Sequence, residues 1–304
     1  MWKAILLGAT VPLASRFPAP FYGLAWVLGT LAWAIQRRGR ARIIRNLAPA
    51  FDGHEGMARR ASLQVFRNVA RYYADMASLP GMDPATLEAR ALDIVHNERL
   101  EVLKGDRPVI IVSAHLGNPE IAVQALAERG RPFAALVEPL EPPTYARKLL
   151  QIRSSAGGRF YEATTMGVHS AMRDLREGAV LALIADRDMQ GRGVCVEFMG
   201  RHVRLPRGPW VIARREGALV VPMFVERRNR MRFQLFVEDP FEVDAEPVTE
   251  DEAVCRAAAH WATLLEEYVR REPGQWTVTE DYWRVHACEP EEPHGRPCCA
   301  KEYA

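Results

Sequence analysis

Three runs of the chain, 108–113 (Pro-Val-Ile-Ile-Val-Ser), 179–185 and 218–225, are apolar along nearly their whole length rather than at every second residue. A strand with one wet face alternates, so an unbroken apolar run of this length marks a strand covered on both sides. Between and around these runs lie stretches with helical character at 119–129, 143–155, 167–177 and 208–216, and shorter strand candidates at Leu92–Val95, Phe133–Val137 and Arg159–Glu162. Buried strands alternating with helices specify an α/β fold, a single domain with a mixed, mainly parallel central sheet flanked by helices. The mixed character comes from Met231–Val237, which alternates and is predicted to fold back on Val220–Val225 through Arg-Arg-Asn-Arg. Helices over 58–80 and 249–271 complete the set, and the apolar positions of the second, Trp261, Leu264, Leu265, Tyr268 and Val269, are spaced for packing.

The amino-terminal end differs in character. Lys3 followed by Ala-Ile-Leu-Leu-Gly-Ala imitates a secretory signal, but Arg16 interrupts the apolar run and a second apolar stretch follows it. From Phe17 to Ile35 there is no charge. Pro18 and Pro20 are expected to break the start of this stretch, leaving about 15 residues where a spanning helix needs about 20. Before Asp52 the charged residues are Lys3, Arg16, Arg37, Arg38, Arg40, Arg42 and Arg45, with no carboxylate among them. Phe21, Tyr22, Trp26 and Trp33 suit the headgroup level of a bilayer, and the arginines suit an anionic lipid surface. Residues 1–45 are therefore read as amino-terminal membrane-associating helices, an interfacial anchor, with a core helix and solvated basic turn as the alternative. Residues 46–283 form the catalytic domain, and 284–304, rich in Pro, Glu and Cys, a flexible tail.

A net charge of +2 without a nucleic-acid-binding signature argues against nucleic acid as a partner. The five cysteines, Cys195, Cys255, Cys288, Cys298 and Cys299, form neither a disulfide framework nor a spaced zinc site, which predicts a reducing, cytoplasmic setting.

The sharpest local feature is Ser113-Ala114-His115-Leu116-Gly117-Asn118-Pro119-Glu120. It puts a histidine where a buried strand ends, a good helix cap at Asn118, a good first helical residue at Pro119 and a carboxylate in the first turn. A carboxylate on one imidazole nitrogen fixes the tautomer and leaves the other nitrogen to take a proton from an alcohol. On that reasoning Glu120 is expected to orient His115. There is no Gly-x-Ser-x-Gly nucleophile elbow, and no second histidine at a metal-ligand spacing from His115, so the reading is direct attack by the acceptor hydroxyl with no metal and no cofactor.

His115-x4-Glu120 resembles the His-x4-Asp/Glu motif of the bacterial lipid A biosynthesis and phosphatidylinositol mannoside acyltransferases, members of the lysophospholipid acyltransferase superfamily. Leu-Val-Glu-Pro-Leu-Glu-Pro-Pro-Thr-Tyr (136–145) with Gln-Ile-Arg (151–153), Ala-Asp-Arg-Asp (185–188), Leu-Pro-Arg-Gly-Pro (205–209) and Arg-Glu-Pro-Gly-Gln-Trp (271–276) resemble that family's further blocks in order and spacing. The mannoside branch ends its histidine motif in Asp, where this chain has Glu120. The resemblance implies transfer of a fatty acyl group from acyl-CoA or acyl-carrier protein, as co-substrate, to a glycolipid hydroxyl at the cytoplasmic face of the bacterial inner membrane. It also implies a functional arginine, assigned to Arg153. Asp186, at the mouth of a strand, is expected to orient Arg153 or the acceptor, with a structural Arg–Asp pair as the alternative. Asn118, Arg201, Arg204 and Arg207 are assigned to substrate binding, the arginines as phosphate ligands, with a merely solvated basic loop as the competing reading. The functional alternatives are a lysophospholipid or glycerolipid acyltransferase and a non-catalytic lipid-binding relative.

Overall fold

The computed structural model describes residues 11–80, 84–126, 129–154, 157–244 and 248–289. The signal-like start, Cys298 and Cys299 lie outside them. The helices that lead into the fold include α1 (Pro18–Ile35), α2 (Arg37–Leu47), α3 (Glu55–Ser78) and α4 (Pro84–Ala91). Then strands and helices alternate as β1 (Leu92–Val95), β2 (Val109–Ser113), α5 (Pro119–Ala125), β3 (Phe133–Val137), α6 (Pro143–Arg153), β4 (Arg159–Glu162), α7 (Thr165–Arg176) and β5 (Val180–Ile184). A hairpin, β6 (Val194–Phe198) and β7 (Arg201–Leu205), precedes α8 (Gly208–Glu216), β8 (Leu219–Arg227), β9 (Phe233–Val237), the short β10 (Phe241–Glu242), α9 (Glu250–Arg271) and α10 (Tyr282–Val285).

The main sheet runs β1-β9-β8-β2-β5-β3-β4, with β10 also paired to β8. Pairing is parallel from β8 through β2, β5, β3 and β4 and antiparallel between β8 and β9, which makes the sheet mixed at one side and mainly parallel, as the sequence predicts. Every residue of β2 is buried and β5 is nearly so, because helices cover both faces. One core holds Trp210, Phe224 and Trp261 with the α9 face, and a second lies on the other side around Ile121, Leu126, Phe133 and Leu149.

Several local expectations change. Pro18 and Pro20 do not shorten the apolar helix. Pro18 is its first residue and Pro20 lies in the same turn, where backbone N–H groups have no helical partner to lose, so α1 keeps 18 residues. It is long and apolar enough to cross a membrane. Leu24, Trp26, Val27, Leu28, Leu31 and Ile35 are exposed on it, whereas Tyr22 is buried and Trp33 donates its indole N–H to Ser62 Oγ at 2.9 Å on α3, so those two aromatics face protein.

The basic turn around Arg201 is a β-hairpin. Its second strand carries Leu205 and Val203 inward and the polar residues outward, a two-residue period that the cluster of arginines hides. The segment after Trp283 is fixed as far as Cys288. Val203 bridges Ala287, Arg204 N–H donates to His286 O at 2.7 Å, and Cys288 is bonded to Cys195 with Cα atoms 6.0 Å apart. The expectation of an undisulfided chain therefore fails, and the reducing setting drawn from it loses that support, because the fold brings together two cysteines 93 residues apart, a proximity that spacing along the chain does not reveal. Closing so long a loop restricts the unfolded chain, so Cys288→Ser is expected to lower unfolding stability by about 2–5 kcal/mol, measured by denaturant titration with and without reductant. A linked peptide carrying both cysteines should appear in a non-reducing digest.

Candidate active site

β2 and β5 are neighbours in parallel register, with Ser113 opposite Ile184. Two residues beyond each strand end, His115 and Asp186 therefore emerge side by side at the carboxyl edge of the sheet, where open α/β sheets assemble their sites. His115 Nδ1 lies 2.7 Å from Asp186 Oδ1, and His115 N–H donates to Asp186 Oδ2 at 3.0 Å. Trp276 Nε1–H donates to the same Oδ2 at 2.9 Å, and Tyr282 Oη–H donates to the Asp186 carbonyl at 3.0 Å. Asp186 is fully buried. Burial alone would raise its pKa, but His115, the Trp276 indole and the His115 N–H together lower it to about 2. An ionised carboxylate has no proton to give, so His115 Nδ1 carries the hydrogen and Nε2 is the basic nitrogen. The histidine side chain is still 36 % exposed, so the imidazole remains reachable from outside.

The loop that carries His115 is clamped. Its carbonyl accepts Thr277 N–H at 2.8 Å and Thr277 Oγ–H at 3.0 Å, and Gly117 N–H donates to Gln275 O at 3.1 Å. Gly117 has φ +61°, and a Cβ there would sit 2.1 Å from Val225 O, so the tight passage between β8 and the 273–277 segment demands glycine.

Glu120 is not the partner of His115. It forms an ion pair with Arg153, and Tyr72 Oη–H donates to its Oε2 at 2.5 Å while Arg153 Nη2 donates to Tyr72 Oη at 3.0 Å. The expected pairings are thus exchanged: Asp186 holds His115, and Glu120 rather than Asp186 holds Arg153. The reason is geometric. Glu120 sits in the first turn of α5 facing α3 and the end of α6, while strand adjacency hands the imidazole to β5. Burial pushes the Tyr72 phenol well above its ordinary range, with Glu120 adding to it, and although burial disfavours the guanidinium, Glu120 and Tyr72 hold Arg153 above its usual value.

The other assigned residues fall elsewhere. The Asn118 side chain is fully buried and caps α5, its Oδ1 accepting Ile121 N–H at 3.4 Å. Arg201 stacks over Trp283 at 5.0 Å, Arg204 Nη1 donates to Ala287 O at 2.9 Å, and Arg207 pairs with Asp251 at 2.9 Å. These arginines are engaged by the carboxyl-terminal segment and the start of α9. Sequence reasoning missed Trp276 and Tyr282 as supports of Asp186 and did not single out Tyr72 within the helix over 58–80. The Arg-Glu-Pro-Gly-Gln-Trp block carries the one signal that could have found Trp276.

The profile of the family described as bacterial lipid A biosynthesis acyltransferase matches residues 5–285. A phosphatidylinositol mannoside acyltransferase of Mycolicibacterium smegmatis is 29 % identical over 200 residues, 63 % of this chain and 64 % of that protein. One of Mycobacterium tuberculosis is 29 % identical over 171 residues, 53 % of this chain and 52 % of that protein. The chain thus matches between about half and two-thirds of the length of these relatives.

Two outcomes follow from the geometry. Because the folded Asp186 has its pKa below the unfolded value, its contribution is full above about pH 4 and is lost as pH falls toward 2, amounting to about 2 kcal/mol. Urea unfolding at pH 2–5 should show that loss in the wild type and a flatter profile in Asp186→Asn. Gly117→Ala, with both a positive φ and a backbone clash, should destabilise the fold by about 2–5 kcal/mol in the same assay.

Proposed function

We propose, starting from a chain that belongs to the bacterial lipid A biosynthesis acyltransferase family, that it moves a fatty acyl group from an acyl thioester to a hydroxyl of a membrane glycolipid of the lipid A or phosphatidylinositol mannoside kind. The single observation that carries this reading is the His115–Asp186 contact at 2.7 Å, with the carboxylate buried and the imidazole reachable. His115 Nε2 takes the proton of the acceptor hydroxyl as its oxygen attacks the thioester carbonyl carbon. The tetrahedral intermediate collapses to the new ester, the C–S bond breaks, and the proton passes from His115 to the departing thiolate. Asp186 fixes the tautomer and offsets the imidazolium charge. Arg153, aimed by Glu120 and Tyr72, supplies positive charge for the oxyanion or for a substrate phosphate. The donor is acyl-CoA or acyl-carrier protein.

The acceptor is a lipid, and the exposed apolar face of α1 followed by Arg37, Arg38 and Arg42 on α2 supports seating on an anionic membrane, at the cytoplasmic face by the bias of such clusters. We assign residues 1–45 to that membrane contact and residues 46–283 to the transfer domain. Arg201, Arg204 and Arg207 have protein partners, which argues against them as the main phosphate ligands.

Purified enzyme in detergent, given acyl-CoA or acyl-carrier protein and a panel of under-acylated glycolipids and lysophospholipids, should add one acyl chain to a glycolipid by mass spectrometry. His115→Ala and Asp186→Asn should each cut the rate by about 100- to 10,000-fold. Acylation of the lysophospholipid alone would overturn the glycolipid reading, and a folded His115→Ala enzyme at full rate would overturn the mechanism.

A further inference from the structure

Asp75 lies near the end of α3, is fully buried and belongs to no step of the reaction above. Its carboxylate collects donors from three separate elements. Tyr22 Oη–H on α1 donates to Oδ1 at 2.6 Å, Asn118 Nδ2 at the start of α5 donates to Oδ2 at 2.8 Å, and Arg227 at the end of β8 reaches both oxygens, Nη1 to Oδ1 at 3.2 Å and Nη2 to Oδ2. A carboxylate offers about four acceptor positions, and all are filled. Tyr22 Oη also touches the Met231 sulfur, and Arg227 Nη1 donates to Arg230 O at 2.5 Å.

A buried ion pair is a poor source of stability, since apolar residues of similar volume often serve as well. What the Asp75 cluster supplies is orientation. The Asn118 amide is held at both ends, its nitrogen by Asp75 and its oxygen by Ile121 N–H, so a flip would break both bonds. Gln275 brackets the Arg227 backbone, accepting its N–H at 2.6 Å and donating to its carbonyl at 3.1 Å, while the Gln275 carbonyl accepts Gly117 N–H. One cluster thus fixes Gly117 and Asn118, two and three residues beyond His115. Its outermost member, Tyr22, sits on the helix whose opposite face is exposed and apolar.

We propose that Asp75 is a positioning residue that couples α1, through Tyr22, to the loop bearing His115, through Asn118, so that turnover depends on a phenol in the membrane-contacting helix that touches no reacting group. The proposal rests on the acyl transfer inferred above.

The test is a double-mutant cycle on the full chain in mixed micelles of detergent and phosphatidylglycerol. Tyr22→Phe keeps the ring and removes the hydroxyl. Asn118→Ser keeps a good helix cap and is too short to reach Asp75. We expect Tyr22→Phe to lower kcat about fivefold, the scale of one ordinary hydrogen bond, with KM for donor and acceptor within about twofold. In the Asn118→Ser background the same change should alter kcat by less than about 1.5-fold, because the path is already cut. Hydrogen exchange at the amides of 116–121 should quicken in Tyr22→Phe. Wild-type kcat in Tyr22→Phe, an equal fold loss in both backgrounds, or faster exchange confined to α1 would overturn the coupling. A wild-type protein that transfers no acyl group would overturn the functional reading instead, and exchange at 116–121 would then decide the coupling by itself.

Discussion

The parallel pairing of β2 with β5 is the constraint from which the rest follows. Both strands are buried on both faces, and they pair in register along their whole length, Val109 opposite Val180 through Ser113 opposite Ile184. Ser113 opposite Ile184 then determines that the residues two positions on meet across the edge of the sheet. Any residue pair at 115 and 186 would be neighbours, and the sequence makes them an imidazole and a carboxylate. The site is a consequence of strand order, since β5 lies next to β2 although β3 and β4 come between them in the chain.

Holding an ionised carboxylate out of water costs several kcal/mol unless donors surround it. Asp186 has the His115 ring and amide on one side and Trp276 on the other, and Tyr282 ties its carbonyl. Two of these come from the carboxyl-terminal segment, about ninety residues away, which also supplies Thr277 to the His115 carbonyl. This segment is in turn fastened to the β6–β7 hairpin by the Val203–Ala287 bridge and the Cys195–Cys288 bond. The end of the chain is thus a structural part of the site.

What the sequence made legible and what it hid divide along a physical line. Buried strands announce themselves, because full burial leaves no polar residue in the run, and 108–113, 179–185 and 218–225 were readable for that reason. His115 was readable from its place after such a strand. Its partner was not, since nearness along the chain favoured Glu120 while pairing between strands favoured Asp186. The β6–β7 hairpin escaped because Arg201, His202 and Arg204 dominate its second strand, in which Val203 and Leu205 alone are buried. Tyr72 went unnoticed in the helix over 58–80 because only its hydroxyl, held by Glu120 and Arg153, sets it apart from its apolar neighbours. The two prolines of α1 looked like breakers because their position within the first turn depends on where the helix begins.

The exchange of partners also explains why α3 is needed. Tyr72 and Asp75 are three residues apart and so share one face of that helix. One reaches Glu120 and the other Asn118, which means that a single helix face grips the first turn of α5 at two points. The same helix is packed so closely on α1 that a Cβ at Gly29 would lie 2.7 Å from the Arg67 Cα. α1 is thus seated directly on α3, and α3 in turn grips α5, so the proposed coupling has a second packed route from α1 to the turn that follows His115. The Asp186 pairing sets which atom of His115 is basic, and the α3 contacts set where that atom is held.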